Sequence, residues 1–102
     1  MQHFGKLVRD KIPEIIAWQG ETPNVYTLDE GAYRMELDRK LSEEIAEYQK
    51  DKSLEELADV MEVIHAICAV RGYTLEDLHA AQRQKRETRG GFEKRIYLVS
   101  KE

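Results

Sequence analysis

The chain is short of most of what staples, breaks or anchors a fold. Among its 102 residues there is one cysteine, Cys68, so an internal disulfide framework and a cysteine-based zinc cluster are both excluded. Cys68 lies in an apolar stretch and is expected to be a buried small hydrophobe. Only two prolines interrupt the chain, and neither an internal repeat nor a low-complexity segment is visible. No segment approaches the length needed to span a bilayer. Met1 to Lys11 contains no long apolar run and no cleavage-site pattern, so no signal peptide is expected and the cytoplasm is the expected location. A basic excess is also missing: the net charge is −4, which argues against a dedicated binder of nucleic-acid polymers. An acidic protein that handles a phosphate-bearing substrate must bring in cations to hold it.

What is present suits helices. The hydrophobic share of 41% is enough for a core, and the charged share of 35% fits amphipathic helices with wide solvated faces. One domain over residues 1–102 is expected. A domain this short buries a modest fraction of its surface, so pairing with another copy is expected too. Four helices can be placed. The first runs from Lys11 to Gln19, with Asp10 as cap, Pro13 in the tolerated first turn and Gly20 as stop. The second runs from Leu28 to Lys50, with Thr27 and Glu30 in capping-box spacing. Asp51 and Lys52 make a tight link, and Ser53 with Glu56 repeats the box before a third helix from Leu54 to Val70, stopped by Gly72. Thr74 with Asp77 opens a fourth, which continues to Thr88 and is broken by Gly90 and Gly91. The fold class is therefore an all-α four-helix bundle with an antiparallel central hairpin. Ile96 to Val99 forms a short strand or an extended tail.

Placing residues at 100° intervals shows where the acids point. On the second helix Leu37, Leu41, Ile45 and Tyr48 form an apolar arc, and Glu44 falls inside it, roughly 20° from Leu37 and 40° from Tyr48. Glu47 lies on the flank of that arc, and Glu43 points toward solvent. The third helix is apolar nearly all round, through Leu54, Leu57, Val60, Met61, Val63, Ile64, Ile67 and Cys68, as a central helix would be. Glu55, Glu62 and His65 form its solvent strip. Glu56 projects between Val60 and Val63, with Asp59 just beyond.

Antiparallel pairing can bring Glu44 and Glu47 opposite Glu56 and Asp59. Four converging carboxylates repel one another unless several stay protonated or a cation joins them. All-oxygen ligation suits Mg²⁺, with Mn²⁺ as a substitute, and the lack of paired His or Cys disfavours zinc. The spacing of three in each pair keeps both members on one helix face. A plainer reading stands beside this one: such pairs are common on solvated faces, and Glu56 has a capping role available. His3, His65 and His79 share no ligand spacing.

Lys85-Arg86-Glu87-Thr88-Arg89-Gly90-Gly91-Phe92 clusters basic residues beside two glycines. It can hold an anion, or it is simply a helix end with dipole-favoured cations and a glycine stop. Lys6, Arg9 and Lys11 form a second basic cluster.

The order KLSEEIAEY, EELADVMEVI and KRETRGGF resembles the MazG and phosphoribosyl-ATP pyrophosphohydrolase superfamily of all-α nucleotide pyrophosphohydrolases. The likeness covers most of the chain, and the opening KLVRDKIPEII, from Lys6 to Ile16, is similar to its house-cleaning subgroup. That opening is not typical of the histidine-pathway enzyme, which disfavours phosphoribosyl-ATP as substrate. The resemblance implies hydrolysis of a nucleoside triphosphate, non-standard or damaged, to the monophosphate and pyrophosphate. It also implies Mg²⁺ on Glu44, Glu47, Glu56 and Asp59, with Glu44 or Glu47 as base, and phosphate contacts from Lys85, Arg89, Gly90 and Gly91. Lys6, Arg9 and Lys11 are further phosphate candidates. A homodimer or homotetramer with the site near a subunit boundary is expected on the same ground. Two rivals remain: a non-catalytic helical module that senses nucleotides, and a plain bundle whose inward acids pair with Arg34 or Arg39.

Overall fold

The computed structural model describes residues 5–102, and His3 lies outside them. The architecture is all-α with four helices: α1 (Ile12–Trp18), α2 (Glu30–Asp51), α3 (Leu54–Val70) and α4 (Leu75–Arg89). No strand occurs among the described residues, and 96–102 carries no regular secondary structure. No helix among them is long and apolar enough to cross a membrane.

The hairpin α2–α3 is the centre of the fold. Lys52 closes α2 in the left-handed region at φ 58°, its amide donating to Tyr48 O, and Ser53 at once caps α3. A two-residue link leaves the helices no arrangement except antiparallel. The far end is pinned by Arg34, whose guanidinium donates to the Val70 carbonyl at 3.1 Å. The core is small: Leu37 from α2 with Val63 and Cys68 from α3 are the buried hydrophobic residues. Cys68 is thus buried, as its apolar surroundings imply. α4 packs against α3, and α1 packs against no other helix among the described residues.

The helix starts differ from expectation at two places. α2 begins at Asp29, whose Oδ1 accepts from the Ala32 amide at 2.9 Å, and the Thr27–Glu30 box is not formed. Aspartate is the better cap, and Glu30 is drawn instead to Arg34 one turn on. α1 starts after Lys11 with no side-chain cap, so Asp10 does not serve. A turn in which the Ile12 amide donates to Arg9 O at 3.0 Å takes its place. His65, placed with Glu55 and Glu62 on the solvent strip, is partly buried, while the two acids are exposed.

The single chain is elongated, 60 × 31 × 24 Å with a radius of gyration of 18.0 Å. A compact chain of about 100 residues has a radius near 13 Å. Large apolar side chains accordingly face outward: Leu54, Leu57 and Met61 along α3, Trp18 on α1, and Ile96 to Val99 in the tail.

Candidate metal centre

Antiparallel pairing carries out the convergence that the projections predict. Glu44 from α2 meets Glu56 and Asp59 from α3, with one carboxylate oxygen from each lying within 4.8 Å of the others. Glu47 joins a second such group with Asp51 and Glu56. Glu56 therefore belongs to both. Asp51 escaped the sequence reading, which used it only as a link. Its signal was its position four residues after Glu47, on the same helix face.

Glu44 is well enclosed, its side chain 12% exposed. It does not lie bare: Lys40 Nζ stands 3.3 Å from Glu44 Oε1 and 3.3 Å from Glu43 Oε1. Lys40, one turn before Glu44, was likewise missed. Glu43, expected to face open solvent, is held between Lys40 and Lys6, the latter at 3.8 Å. Asp59 accepts from Arg9 Nη2 at 2.7 Å, and Arg9 Nη1 lies 3.8 Å from Glu62. Lys6 and Arg9 are thus brought to the acids. Lys11 stands at the N-cap position of α1.

Glu56 behaves differently. Its amide donates to Ser53 Oγ at 3.3 Å, but its carboxylate does not return the bond to Ser53. The reciprocal box is formed at α4, where Thr74 and Asp77 bond each other both ways. Glu56 is left pointing among acids. Partial desolvation, then Asp51, Asp59, Glu47 and Glu44 in that order, raise its carboxyl above the ordinary value of 4.5.

The donor set fits a hard divalent cation. Oxygens around Mg²⁺ at about 2.1 Å lie roughly 3 to 4.2 Å apart, so groups already within 4.8 Å need only small rotamer changes. Proton sharing would serve a metal-free cluster equally well on charge.

The basic segment 85–92 is not joined to this centre among the described residues. Lys85 and Arg89 are exposed on α4 and make no ion pair among those residues. Arg86 is tied back to Glu93 at 2.5 Å, directly over Gly91, where a side chain would collide with the pair. Gly90 ends α4 at φ 85°. Arg34 and Arg39 pair with Glu30 and Glu36, away from the clustered acids. Trp18, Tyr26 and Tyr73 are exposed and Tyr33 is partly buried, so three of these four aromatics lie outside any core. Two shallow concavities, of about 420 Å³ on α4 and about 390 Å³ on α1, do not include the clustered acids. The acids lie on an open face of the hairpin.

Among known proteins, an uncharacterised protein of Mycolicibacterium smegmatis is 46% identical over 56 residues, covering 51% of this chain. The chain spans 57% of that relative's length. No family model matches the chain. No solved structure matches it either.

Proposed function

We propose that this chain is a magnesium-dependent nucleotide pyrophosphohydrolase, converting a non-standard or damaged nucleoside triphosphate to the monophosphate and pyrophosphate. The observation that carries the reading is the meeting of Glu44, Glu56 and Asp59 across the hairpin, with Glu56 raised by desolvation first and by its acidic neighbours after it. The family likeness of the acidic and basic motifs supports the substrate class. Glu44, Glu56 and Asp59 would hold Mg²⁺, or Mn²⁺ in its place. Such an ion would neutralise charge on the triphosphate and acidify the attacking water. Glu47, exposed and grouped with Asp51, would accept the proton as water adds and the α–β phosphoanhydride bond breaks. Lys85, Arg89 and the Gly90–Gly91 turn would take the departing pyrophosphate. A cytoplasmic setting, where nucleotides are made and damaged, suits this chemistry.

The working unit in this reading is a homo-oligomer. The chain exposes 9531 Å². A compact monomer of its mass exposes roughly 6,000 Å², and the excess is of the order that obligate interfaces bury. Lys85 and Arg89, exposed and without an ion pair among the described residues, are what an incomplete site would present.

The deciding assay is pyrophosphate release from normal, deoxy and damaged triphosphates and phosphoribosyl-ATP, with Mg²⁺, Mn²⁺ or chelator. Cation-dependent release from a damaged or non-standard triphosphate is expected. Tight nucleotide binding with no turnover anywhere would establish the sensing module instead. A second reading, a plain structural bundle, is favoured by the Arg9–Asp59 and Lys40–Glu44 pairs, although not by Arg34 or Arg39. It predicts no Mn²⁺ binding in calorimetry.

A further inference from the structure

We propose that the apolar tail segment 96–99 of one copy lies along the open stripe of α3, Leu54, Leu57 and Met61, on a second copy. The proposal rests on the oligomer reading above and names the two surfaces that form the contact. Both are apolar and open to water in one chain. Ile96, Tyr97, Leu98 and Val99 are each at least 78% exposed, and Leu54, Leu57 and Met61 are 77%, 46% and 50% exposed. Within the single chain the two surfaces therefore do not cover each other. Their spacings match. Leu57 and Met61 lie about 6 Å apart along the helix. In an extended segment Ile96 and Leu98 share one side about 6.6 Å apart.

Charge favours the same pairing. α3 carries Glu55, Glu56, Asp59 and Glu62 and has no Lys or Arg of its own. Glu55 and Glu62 are exposed and project about 20° from each other, on one flank of the stripe. Of the cations nearby, Arg9 is shared between Asp59 at 2.7 Å and Glu62 at 3.8 Å, and Lys52 stands over the Tyr48 ring. The tail brings Lys94 and Arg95 before its apolar run and Lys101 after it, against Glu102 alone. Its root is held in advance: Arg86 pairs with Glu93, and the Arg95 amide donates to Phe92 O at 3.1 Å. A segment that leaves from a fixed turn loses less freedom on docking. Exchange of tails in both directions closes a two-fold pair with no open end.

Two measurements test this. Ile96→Asp combined with Leu98→Asp should bring the sedimentation mass down to that of one chain, with the helical circular dichroism kept. Leu57→Cys and Leu98→Cys chains, mixed and oxidised, should join as a covalent mixed dimer, and neither variant alone should do so. Cys68 is buried and leaves that readout clear. A disulfide needs the two Cα atoms within about 7 Å, so the bridge reports direct contact. Leu57→Cys joining to itself as readily as in the mixture would mean that stripe meets stripe. A chain with both cysteines that closes on itself, with no dimer, would mean that each tail covers its own α3. Either result overturns the proposal. A tail variant that keeps the wild-type mass also overturns it, while the oligomer stands. A wild type that sediments as one chain removes the oligomer and the tail exchange together, and leaves the acidic centre untouched.

Discussion

The carboxyl of Glu56 is raised by partial burial first and by Asp51, Asp59, Glu47 and Glu44 after it. A raised carboxyl favours the folded chain while protonated and opposes it once ionised. Glu56 therefore lends stability below its unfolded value, near 4.5, and withdraws it as pH rises through the higher folded value. For the metal-free protein, urea melts between pH 4 and 8 should show that loss, and Glu56→Gln should flatten it. Added Mn²⁺ should restore stability at neutral pH in the wild type and do so much less in the variant. Pyrophosphate release by Glu56→Gln should fall by at least about 100-fold, more than losing an outer partner of a metal ligand costs. Full activity in that variant would make Glu56 a bystander. The residue could be picked out in the sequence because 100° per residue is a local rule. Asp51, which joins Glu56, and Lys40, which pairs with Glu44, obey the same rule at four residues from Glu47 and Glu44, and ExxE and ExxD spacings pass over both.

Elements in this molecule stand on their caps to an unusual degree, since the core adds little. Thr74 and Asp77 bond reciprocally at 3.0 and 2.8 Å, and the Thr74 bonds hold the Asp77 carboxyl below its ordinary value of 3.8. A lowered carboxyl contributes stability that is present above its unfolded value and is lost as pH falls through the folded one. Thr74→Ala should cost about 1 kcal/mol at neutral pH. The difference between variant and wild type should shrink below pH 3.8, as chemical denaturation will show. At the hairpin's open end, Arg34→Met should cost about 1 kcal/mol through loss of the bond to Val70 O, discounted for a side chain 40% exposed. That variant should also speed amide exchange at the α3 C-terminus; an unchanged exchange pattern would show that Arg34 pins nothing.

For the whole molecule, the buried hydrophobic core among the described residues is Leu37, Val63 and Cys68, small for a chain of 102 residues, and the proposed oligomer would add to it. Leu57, Met61 and the tail from Ile96 to Val99 are open to water. The melting temperature should therefore rise with protein concentration, as it does when assembly is linked to folding. Met61→Asp should lower the sedimentation mass toward that of one chain and reduce the melting temperature with it. A wild-type chain that sediments as a stable, active monomer would remove the oligomer from the reading. The open stripe on α3 was visible in the sequence only as helix-wide hydrophobicity. Periodicity reports that a face is apolar, and it does not report whether the cover comes from the same chain.

Helix number, the two-residue turn and the meeting of Glu44, Glu56 and Asp59 were determined by the chain's own pattern, because they depend on local geometry and a forced reversal. Asp29 displacing Thr27 as a cap was within reach of the same reasoning, had neighbouring caps been ranked against each other. Arg9 on Asp59, fifty residues apart, was not: a long-range ion pair follows from the path of the loop, which no spacing encodes. Tertiary structure alone decided which cations sit on the acids and which apolar faces stay uncovered, since both depend on how separate elements lie in space.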